Sequence, residues 1–259
     1  MTQSVLSRPL YRLYERQLER GLDSTRLPRH IGVILDGHRR YARTQRLPDY
    51  TASYREGMAK FEQFIEWSQK IGIETITGWV LSPQNMTRPE SELLPYFEVL
   101  KDLFSRLPRL AAQYDMSLRV IGSLDLLPDD LVRAAKEMEV ARPTGTRQLN
   151  IAMGYGGQQE IVDAARELMG ELLQDGINPD EIAARVTRDS LAAHMYLSDL
   201  PDAELIIRTS GESRLSGFLL WQSAYAEFSF VDVHWPAFRR VDFLRSLRDF
   251  AQRERRFGQ

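Results

Sequence analysis

The chain has 259 residues, 43% hydrophobic and 27% charged, which is an ordinary globular composition that can bury a large core. Its 34 basic and 36 acidic side chains give a net charge of −2, so no overall positive field favours nucleic acid as a partner. The sequence contains no cysteine, which excludes disulfides, thiol catalysis and Cys-ligated zinc. This composition is compatible with the cytoplasm, where we expect the protein to act.

The N-terminal residues 1–26 are expected to form a helical extension. No apolar run in the sequence approaches the roughly 20 residues that a membrane span needs. The first 29 residues carry Arg and Glu throughout and lack the apolar centre of a signal peptide. Helical spacing of apolar residues over 10–22 predicts a short amphipathic helix that packs on the domain or on a partner. Resting on a membrane surface is the weaker alternative, so we expect at most peripheral membrane contact.

Strand-like and helix-like segments alternate along the rest of the chain. Apolar, β-branched runs predict strands over residues 31–35, 75–81, 118–121, 149–153 and 205–207. Helical periodicity predicts helices over residues 54–71, 90–114, 128–139, 158–173, 188–195 and 242–253. This alternation is typical of an α/β fold with a parallel sheet covered by helices. No repeat or flexible linker divides residues 27–259, which we expect to form a single domain.

Polar or glycine-rich segments follow each predicted strand, beginning at Asp36, Ser82, Gly122, Tyr155 and Arg208. Because the carboxyl ends of parallel strands meet at one edge of a sheet, we expect a binding crevice there. The segment 208–218 combines arginines, hydroxyls and glycines, which suit a diphosphate. The alternative interpretation of this segment is a solvated loop.

The segment Asp36-Gly37-His38-Arg39-Arg40-Tyr41-Ala42-Arg43 places a carboxylate and a glycine before three arginines. The arginines could hold phosphate oxygens while Asp36 binds a divalent cation that bridges them. Alternatively, Asp36 caps the next helix and the arginines are solvated. His38 could be an acid/base group or a hydrogen-bond donor, although most lone histidines are neither. Histidine and glutamate do not occur at zinc-binding spacing.

Three further segments carry weaker signals. Ser82, Asn85 and Arg88 could converge on one ligand, although a cap at Thr87 before the next helix is the better interpretation of this segment taken alone. Residues 153–157 (MGYGG) look like a phosphate loop but lack the Lys-Ser/Thr of a Walker motif. Glu227 lies in a largely apolar stretch, where a carboxylate is costly unless it is paired or binds a metal.

Together and in this order, these segments resemble the cis-prenyltransferase family, the Z-type prenyl diphosphate synthases typified by undecaprenyl diphosphate synthase. The resemblance covers residues 27–258 and is most specific in residues 208–227, which are followed by Trp235-Pro236. It implies a central, mostly parallel six-stranded sheet surrounded by helices, and a homodimer. Within the family, Tyr54, the loop at Gly154 and residues 215–225 resemble the short-chain actinobacterial members that make Z,E-farnesyl diphosphate.

The resemblance also implies roles for individual residues. Asp36 would bind Mg²⁺ and the allylic diphosphate, assisted by Glu227 as a second acidic residue near the metal. Other residues implied at the allylic diphosphate are Gly37, Arg39, Arg40 and Arg43, with Tyr41 and Tyr54 where the family usually has Trp and His. Residues implied to position the reactants are Ser82, Asn85 and Arg88. Residues implied at the diphosphate of isopentenyl diphosphate are Arg208, Arg214 and Ser216, with Arg256 and Gly258 reaching in across the dimer interface.

The implied reaction is condensation of dimethylallyl or geranyl diphosphate with isopentenyl diphosphate to a C10–C15 Z-prenyl diphosphate. We expect the bulk of Phe61, Phe64 and Phe97 to stop the growing chain. His38 replaces the family's usual Asn, which leaves an irregular, lavandulyl-type coupling of two dimethylallyl units as an alternative. A non-catalytic partner subunit is a third hypothesis, disfavoured because the chain keeps Asp36 and Arg208.

Overall fold

The computed structural model describes residues 7–253, with side chains described from residue 13. Within this range the strands are β1 (His30–Ile34), β2 (Thr75–Leu81), β3 (Met116–Ile121), β4 (Arg147–Met153), β5 (Leu205–Arg208) and β6 (Glu227–Phe230). They form one six-stranded sheet in the order β3-β4-β2-β1-β5-β6. Every pair of neighbouring strands is parallel, so the sheet is wholly rather than mostly parallel.

Helices cover the sheet. In the described range they are α1 (Ser7–Arg20), α2 (His38–Gln45), α3 (Tyr50–Ile71), α4 (Glu90–Gln113), α5 (Asp129–Ala141), α6 (Gly157–Gln174), α7 (Pro179–Arg185), α8 (Arg188–Ala192) and α9 (Arg240–Gln252). α1 packs on α9, where Leu18 meets Val241 and Leu244, so the N-terminal helix lies on the domain as expected. None of these helices combines the length and the apolarity that a membrane crossing requires.

Three elements were not predicted by the hydrophobic pattern. β6 has only four residues, half-buried or exposed at the sheet edge, so it gives no apolar run. α2 is rich in arginine and buries only His38 and Ala42. α7 buries none of its residues. In each case the signal is weak because little apolar surface is removed from water.

Buried polar side chains connect the central strands. His30 Nδ1 lies 2.7 Å from the carbonyl of Pro201 and therefore donates, which leaves Nε2 to accept from the Thr77 hydroxyl at 2.8 Å. Asn150 donates to the same hydroxyl oxygen at 3.0 Å, and Gln148 donates to Asn150 at 3.0 Å. Since buried polar groups are costly when unpaired, this chain of bonds fixes the register of β1, β2 and β4.

Candidate active site

Asp36 lies two residues beyond β1, near the middle of the sheet. Its N–H donates to the carbonyl of Ile34 at 2.9 Å. Its own carbonyl accepts from the Thr209 hydroxyl at 2.8 Å and from the N–H of Trp235 at 2.9 Å. The backbone of Asp36 is therefore held by β5 on one side and by the segment before α9 on the other.

The Asp36 carboxylate is paired with two guanidiniums. Arg208 Nη2 donates to Oδ2 at 2.9 Å, and Arg40 Nη2 lies 3.6 Å from Oδ1. Burial alone would raise the pKa of Asp36, but the hydrogen bond and charge of Arg208, with the charge of Arg40, outweigh burial and lower that pKa below its ordinary value. Asp36 is therefore a carboxylate, the form that binds a hard cation.

Arg208 connects Asp36 to the loop after β5. Its side chain is only 6% exposed, and its Nη1 donates to the Ser216 hydroxyl at 2.7 Å and to the carbonyl of Arg214. Its Nε is buried and has no partner within the described residues. A buried guanidinium with an unused donor beside a cavity is suited to an additional anionic partner.

Helix α2 begins directly at the site. Its N-cap, Gly37, has φ +107°, and a Cβ there would lie 2.9 Å from His234 Nδ1, so only glycine fits. Arg40 donates to the carbonyl and the hydroxyl of Ser210 and pairs with Glu212 at 3.1 Å. The first turn of α2 therefore brings a guanidinium to the same place as the loop after β5.

Two further arginines of α2 lie at the rim. Arg39 lies 3.7 Å from Glu92 and stands over the ring of Tyr50 at 5.3 Å. Arg43 donates to the Tyr50 hydroxyl at 3.1 Å from Nη2. Arg43 forms no carboxylate pair among the described side chains, so its charge is available to an anion.

The turn after β2 supplies the opposite wall. The side-chain oxygen of Asn85 accepts from the N–H of Ser82 at 3.1 Å, which shapes the turn Pro83–Thr87. Arg88 pairs with Glu92 at 3.4 Å and donates to the Tyr54 hydroxyl at 3.1 Å. Ser82, Asn85 and Arg88 all face the same cavity.

His38 is buried beneath this surface. Its Nδ1 lies 3.2 Å from the carbonyl of Ser53, which makes Nδ1 the donor and Nε2 an acceptor without a described partner. A Cβ at Gly57 would lie 2.0 Å from the imidazole, so glycine makes room for the ring. Burial lowers the pKa of His38 to about 4, so the ring is neutral at neutral pH.

These residues line one crevice of about 740 Å³ at the carboxyl ends of the strands. The predicted site residues in its wall are Asp36, Gly37, His38, Arg39, Arg40, Arg43, Tyr54, Ser82, Asn85, Arg88, Arg208 and Ser216. Apolar residues in the wall include Ile34, Leu35, Trp79, Val80 and Leu81. A cationic rim above an apolar floor is suited to a molecule with an anionic head and an apolar tail.

The structure separates some predicted residues from this crevice. Tyr41 donates to Glu56 at 2.7 Å and does not line the crevice, so the structure does not place it with the other predicted substrate-binding residues. Arg214 is exposed and pairs with Glu212 at 2.6 Å outside the crevice wall. Glu227 begins β6 opposite Leu205, at the other end of the strand from Arg208. Three residues of strand, about 10 Å, separate the two ends.

Within one chain, Glu227 and Asp36 do not form a common metal site, and the role of Glu227 near the metal stays a prediction. The Glu227 carboxylate pairs with Arg253, and a single chain does not bring it beside Asp36. The separation of Glu227 from Asp36 follows from the parallel direction of β6. The first residue of a parallel strand lies at the amino ends of the strands, whereas Asp36 lies beyond their carboxyl ends. Arg256 and Gly258 lie outside the described residues.

The three phenylalanines expected to stop the product do not line the crevice either. The ring of Phe61 lies over Gly78, where an added Cβ would come within 2.3 Å of it. Phe64 packs against Trp235 and Phe243, at centroid distances of 5.8 and 5.0 Å. Phe97 belongs to the main core. All three phenylalanines therefore serve packing.

The glycine-rich residues 153–157 also serve packing. The N–H of Gly157 donates to the carbonyl of Gly217 at 2.7 Å, and a Cβ at Gly157 would collide with that oxygen. The adjacent Tyr155 hydroxyl donates to Glu160 in the interior. The segment holds the turn that carries Ser216 but does not itself line the crevice.

Sequence reasoning missed several residues that shape the site. Glu92 pairs with Arg88, and its signal was the i, i+4 spacing of opposite charges. Glu212 lies two residues before Arg214, which predicts their ion pair, whereas its second pair with Arg40 joins distant parts of the sequence. Tyr96 gave no signal, because an aromatic residue on an apolar helix face is typical of a core.

The curated relatives of the chain are prenyl-transferring enzymes. It matches the family model "Prenyltransf", described as undecaprenyl diphosphate synthase, over residues 34–258. It is 48% identical to an isoprenyl transferase of Thermus thermophilus, over 98% of this chain and 97% of that protein. It is 45% identical to the (2Z,6E)-farnesyl diphosphate synthase of Mycolicibacterium smegmatis, with the same coverage of both chains.

A solved structure has the same fold. Lavandulyl diphosphate synthase from Lavandula x intermedia, in complex with dimethylallyl diphosphate, superposes with a TM-score of 0.84 at 30% identity. The match covers 91% of this chain and 100% of that one. The sheet order, the arginine-lined crevice and these similarities agree, and the chain belongs to the undecaprenyl diphosphate synthase family of prenyltransferases.

Proposed function

We propose that the protein is a short-chain cis-prenyl diphosphate synthase. It condenses dimethylallyl or geranyl diphosphate with isopentenyl diphosphate to a C10–C15 Z-prenyl diphosphate. The observation that carries this proposal is the meeting of Asp36, Arg40 and Arg208 at the strand ends, above an apolar floor. The names of three relatives that are 45–46% identical to this chain support a short product.

In this proposal the guanidiniums drive the reaction electrostatically. When the allylic C–O bond breaks, negative charge grows on the departing diphosphate, and Arg40 and Arg208 are fixed beside it. The double bond of isopentenyl diphosphate forms the new C–C bond with the allylic cation, and a proton then leaves to a diphosphate oxygen. No side-chain nucleophile is required, because the double bond itself attacks the cation.

The residues present fit Mg²⁺ as the cofactor. Among the described side chains, no three of His, Cys, Asp or Glu come together to hold a metal by themselves. Mg²⁺ is commonly bound by one carboxylate together with substrate phosphates and water, and the ionised Asp36 supplies that carboxylate. The bound ion would neutralise charge on the diphosphate.

We also propose a homodimer formed through the β6 edge. Tyr225 is 74% exposed and Phe230 is 42% exposed, and Phe230 stacks on Phe228 at a centroid distance of 6.1 Å. An edge strand flanked by exposed aromatic rings is suited to burial against a second copy. Cytoplasmic location and peripheral membrane contact stay predictions.

The proposed function is tested by assaying purified protein with Mg²⁺ and isopentenyl diphosphate. Dimethylallyl, geranyl and farnesyl diphosphates are supplied in turn, and products are identified by mass spectrometry. The proposal predicts Z products of C10–C15 from the two shorter primers. Long products from every primer, or no product from any, would contradict it.

Irregular coupling is the second candidate, favoured by the buried His38 in the crevice wall and by the similarity to lavandulyl diphosphate synthase. Dimethylallyl diphosphate alone distinguishes the two reactions. A C10 product formed without isopentenyl diphosphate supports irregular coupling, and its absence removes that candidate. The non-catalytic subunit hypothesis would return only if Asp36→Ala left the activity of the sample unchanged.

A further inference from the structure

An outer cavity lies beside the arginine rim of the crevice. It has a volume of about 730 Å³ and is bounded by the end of α2, the loop that leads into α3, and the first turn of α4. Arg39 and Arg43 line both this outer cavity and the crevice. The two cavities therefore share a wall that contains two guanidinium side chains.

The outer cavity adds a third arginine, Arg46, which does not line the crevice. Arg46 caps the C-terminus of α2 in the left-handed conformation, with φ +54°, and its N–H donates to the carbonyls of Ala42 and Arg43. Arg39, Arg43 and Arg46 follow each other at spacings of four and three residues, on the side of α2 that faces the cavity. Like charges at this spacing repel each other, so a bound anion would stabilise the end of α2.

The charges of Arg43 and Arg46 are not neutralised by neighbouring carboxylates. Among the described side chains, neither arginine forms an ion pair. Glu92 lines the cavity, but its side chain is only 8% exposed, accepts from the Tyr54 hydroxyl at 2.6 Å and lies 3.4 Å from Arg88. Two of the three guanidiniums are therefore available to an anion.

The other polar side chains of the cavity hold the arginines in place. Asp49 caps α3 by accepting a backbone N–H of its first turn at 2.9 Å. Arg39 and Arg43 stand over the Tyr50 ring, at 5.3 and 5.9 Å from its centroid, and the Tyr50 hydroxyl accepts from Arg43 at 3.1 Å. With three guanidiniums against two carboxylates in its wall, the outer cavity has a net positive charge.

Under the proposed function, on which this inference rests, condensation breaks the allylic C–O bond and releases inorganic diphosphate beside Asp36 and Arg40. The allylic carbon is joined to isopentenyl diphosphate and one proton is lost, so the product keeps the diphosphate of the second substrate. The released diphosphate is a separate anion that has to leave the crevice. Because Arg39 and Arg43 face both cavities, a diphosphate that moves outward exchanges one set of guanidinium contacts for another.

We infer that the outer cavity is a second binding site for diphosphate, through which the leaving group departs. Arg39 and Arg43 are shared with the crevice, whereas Arg46 belongs to the outer site alone. The ligand is a small polyphosphate anion, which comes either from the reaction or from solution. The kinetics of its release distinguish these two sources.

The binding test uses the full-length protein with its crevice saturated by an unreactive allylic thiolodiphosphate and isopentenyl diphosphate. Equilibrium dialysis then measures the binding of radiolabelled inorganic diphosphate. We expect one additional equivalent per chain, with an affinity about fivefold weaker in Arg46→Gln, the effect of losing one exposed ion pair. Arg46→Lys keeps the charge and should retain most of the affinity. Arg185→Gln removes an exposed arginine at the end of α7 and is the matched control, with wild-type binding.

The kinetic test separates bond formation from diphosphate release. Rapid quench measures the C–C bond formed from geranyl and isopentenyl diphosphates, and pyrophosphatase coupled to a phosphate sensor measures release in the same turnover. Arg46→Gln should form the bond at the wild-type rate but release diphosphate several-fold more slowly. Arg185→Gln should match the wild type in both steps, and circular dichroism shows that each variant is folded.

An additional equivalent of diphosphate combined with wild-type release by Arg46→Gln would mean a site filled from solution, and would overturn the role in departure. The absence of an additional equivalent, or equal affinities of Arg46→Gln and the wild type, would overturn the site itself. If the wild type forms no product, the proposed function fails, whereas the dialysis result still tests the binding site.

Discussion

At the scale of single residues, Arg208 gives the site its shape. One guanidinium reaches Asp36, the Ser216 hydroxyl and the carbonyl of Arg214, and its Nε is still unpaired among the described residues. The ammonium of lysine is a point charge and cannot span these directions, so the two cations are not interchangeable here. The planar fork both orders the loop after β5 and retains a donor for a diphosphate.

We therefore expect Arg208→Lys to lower kcat/KM for condensation by roughly 10²–10³-fold, as for the loss of one fixed donor to a charged transition state. Steady-state kinetics with geranyl and isopentenyl diphosphates measure the change. Arg119→Lys is the control, since Arg119 forms a partly exposed pair with Asp199 on the β3 edge and should leave kinetics unchanged. Wild-type kinetics for Arg208→Lys would contradict this role.

At the scale of elements, buried polar contacts set how strands and loops meet. His30 bonds to both Pro201 and Thr77, and burial lowers its pKa to about 4. The folded protein therefore holds a neutral ring where the unfolded chain, with a pKa near 6.5, binds a proton. Below about pH 6.5 the unfolded state takes up more protons, so the free energy of unfolding falls until about pH 4.

From this difference we expect His30 to contribute a loss of about 2 kcal/mol in unfolding free energy between about pH 7 and pH 5. Urea denaturation of the wild type and of His30→Asn at both pH values isolates the contribution. His30→Asn should be less stable than the wild type at neutral pH, but its free energy of unfolding should fall less between pH 7 and pH 5. If the free energy of unfolding falls equally in both proteins, His30 is not the cause of its pH dependence.

Glu160 connects α6 to the turn that carries Ser216. Its buried carboxylate accepts from Gln222 at 2.7 Å, from the N–H of Tyr196 at 3.0 Å and from the Tyr155 hydroxyl. Burial raises its pKa, against the lowering effect of these bonds. The carboxylate therefore organises one wall of the site without touching a ligand.

We expect Glu160→Ala to destabilise the protein by about 3–5 kcal/mol, since it leaves several buried donors unpaired. In the folded fraction, KM for isopentenyl diphosphate should rise while KM for the allylic substrate changes little. Glu160→Gln keeps the shape of the side chain and two acceptor lone pairs. It should restore part of the stability and bring KM for isopentenyl diphosphate part of the way back to the wild-type value. Equal changes in the two KM values would point to general loosening instead.

The sequence predicted those parts of the site that follow directly from strand ends. Asp36, Ser82 and Arg208 each follow an apolar run, and parallel strands bring such positions together. The direction in which a side chain leaves α2 depends on how that helix packs. The end of β6 at which Glu227 lies depends on how the strand pairs with β5. Hydrophobic spacing encodes neither of these. For the same reason the pattern predicted that Phe61 faces the substrate, whereas its ring packs over Gly78 outside the crevice.

At the scale of the whole molecule, the exposed aromatic edge of β6 predicts an assembly. We expect Tyr225→Arg to shift the protein from dimer to monomer in light scattering coupled to gel filtration, because it places charge in an apolar interface. Val140→Arg is the control, since Val140 on α5 is 77% exposed and lies away from the β6 edge. A dimeric Tyr225→Arg protein, or a monomeric wild type, would contradict this interface.

The six-stranded sheet, the arginine rim and the apolar floor support one claim: this end of the molecule holds diphosphates so that an allylic bond can break. A crystal structure with Mg²⁺, isopentenyl diphosphate and an unreactive allylic thiolodiphosphate tests it most directly. We predict an allylic head group among Asp36, Arg40 and Arg208, with its tail over the apolar floor of the crevice. A head group bound away from Asp36 and Arg208, with this crevice empty, would contradict the account.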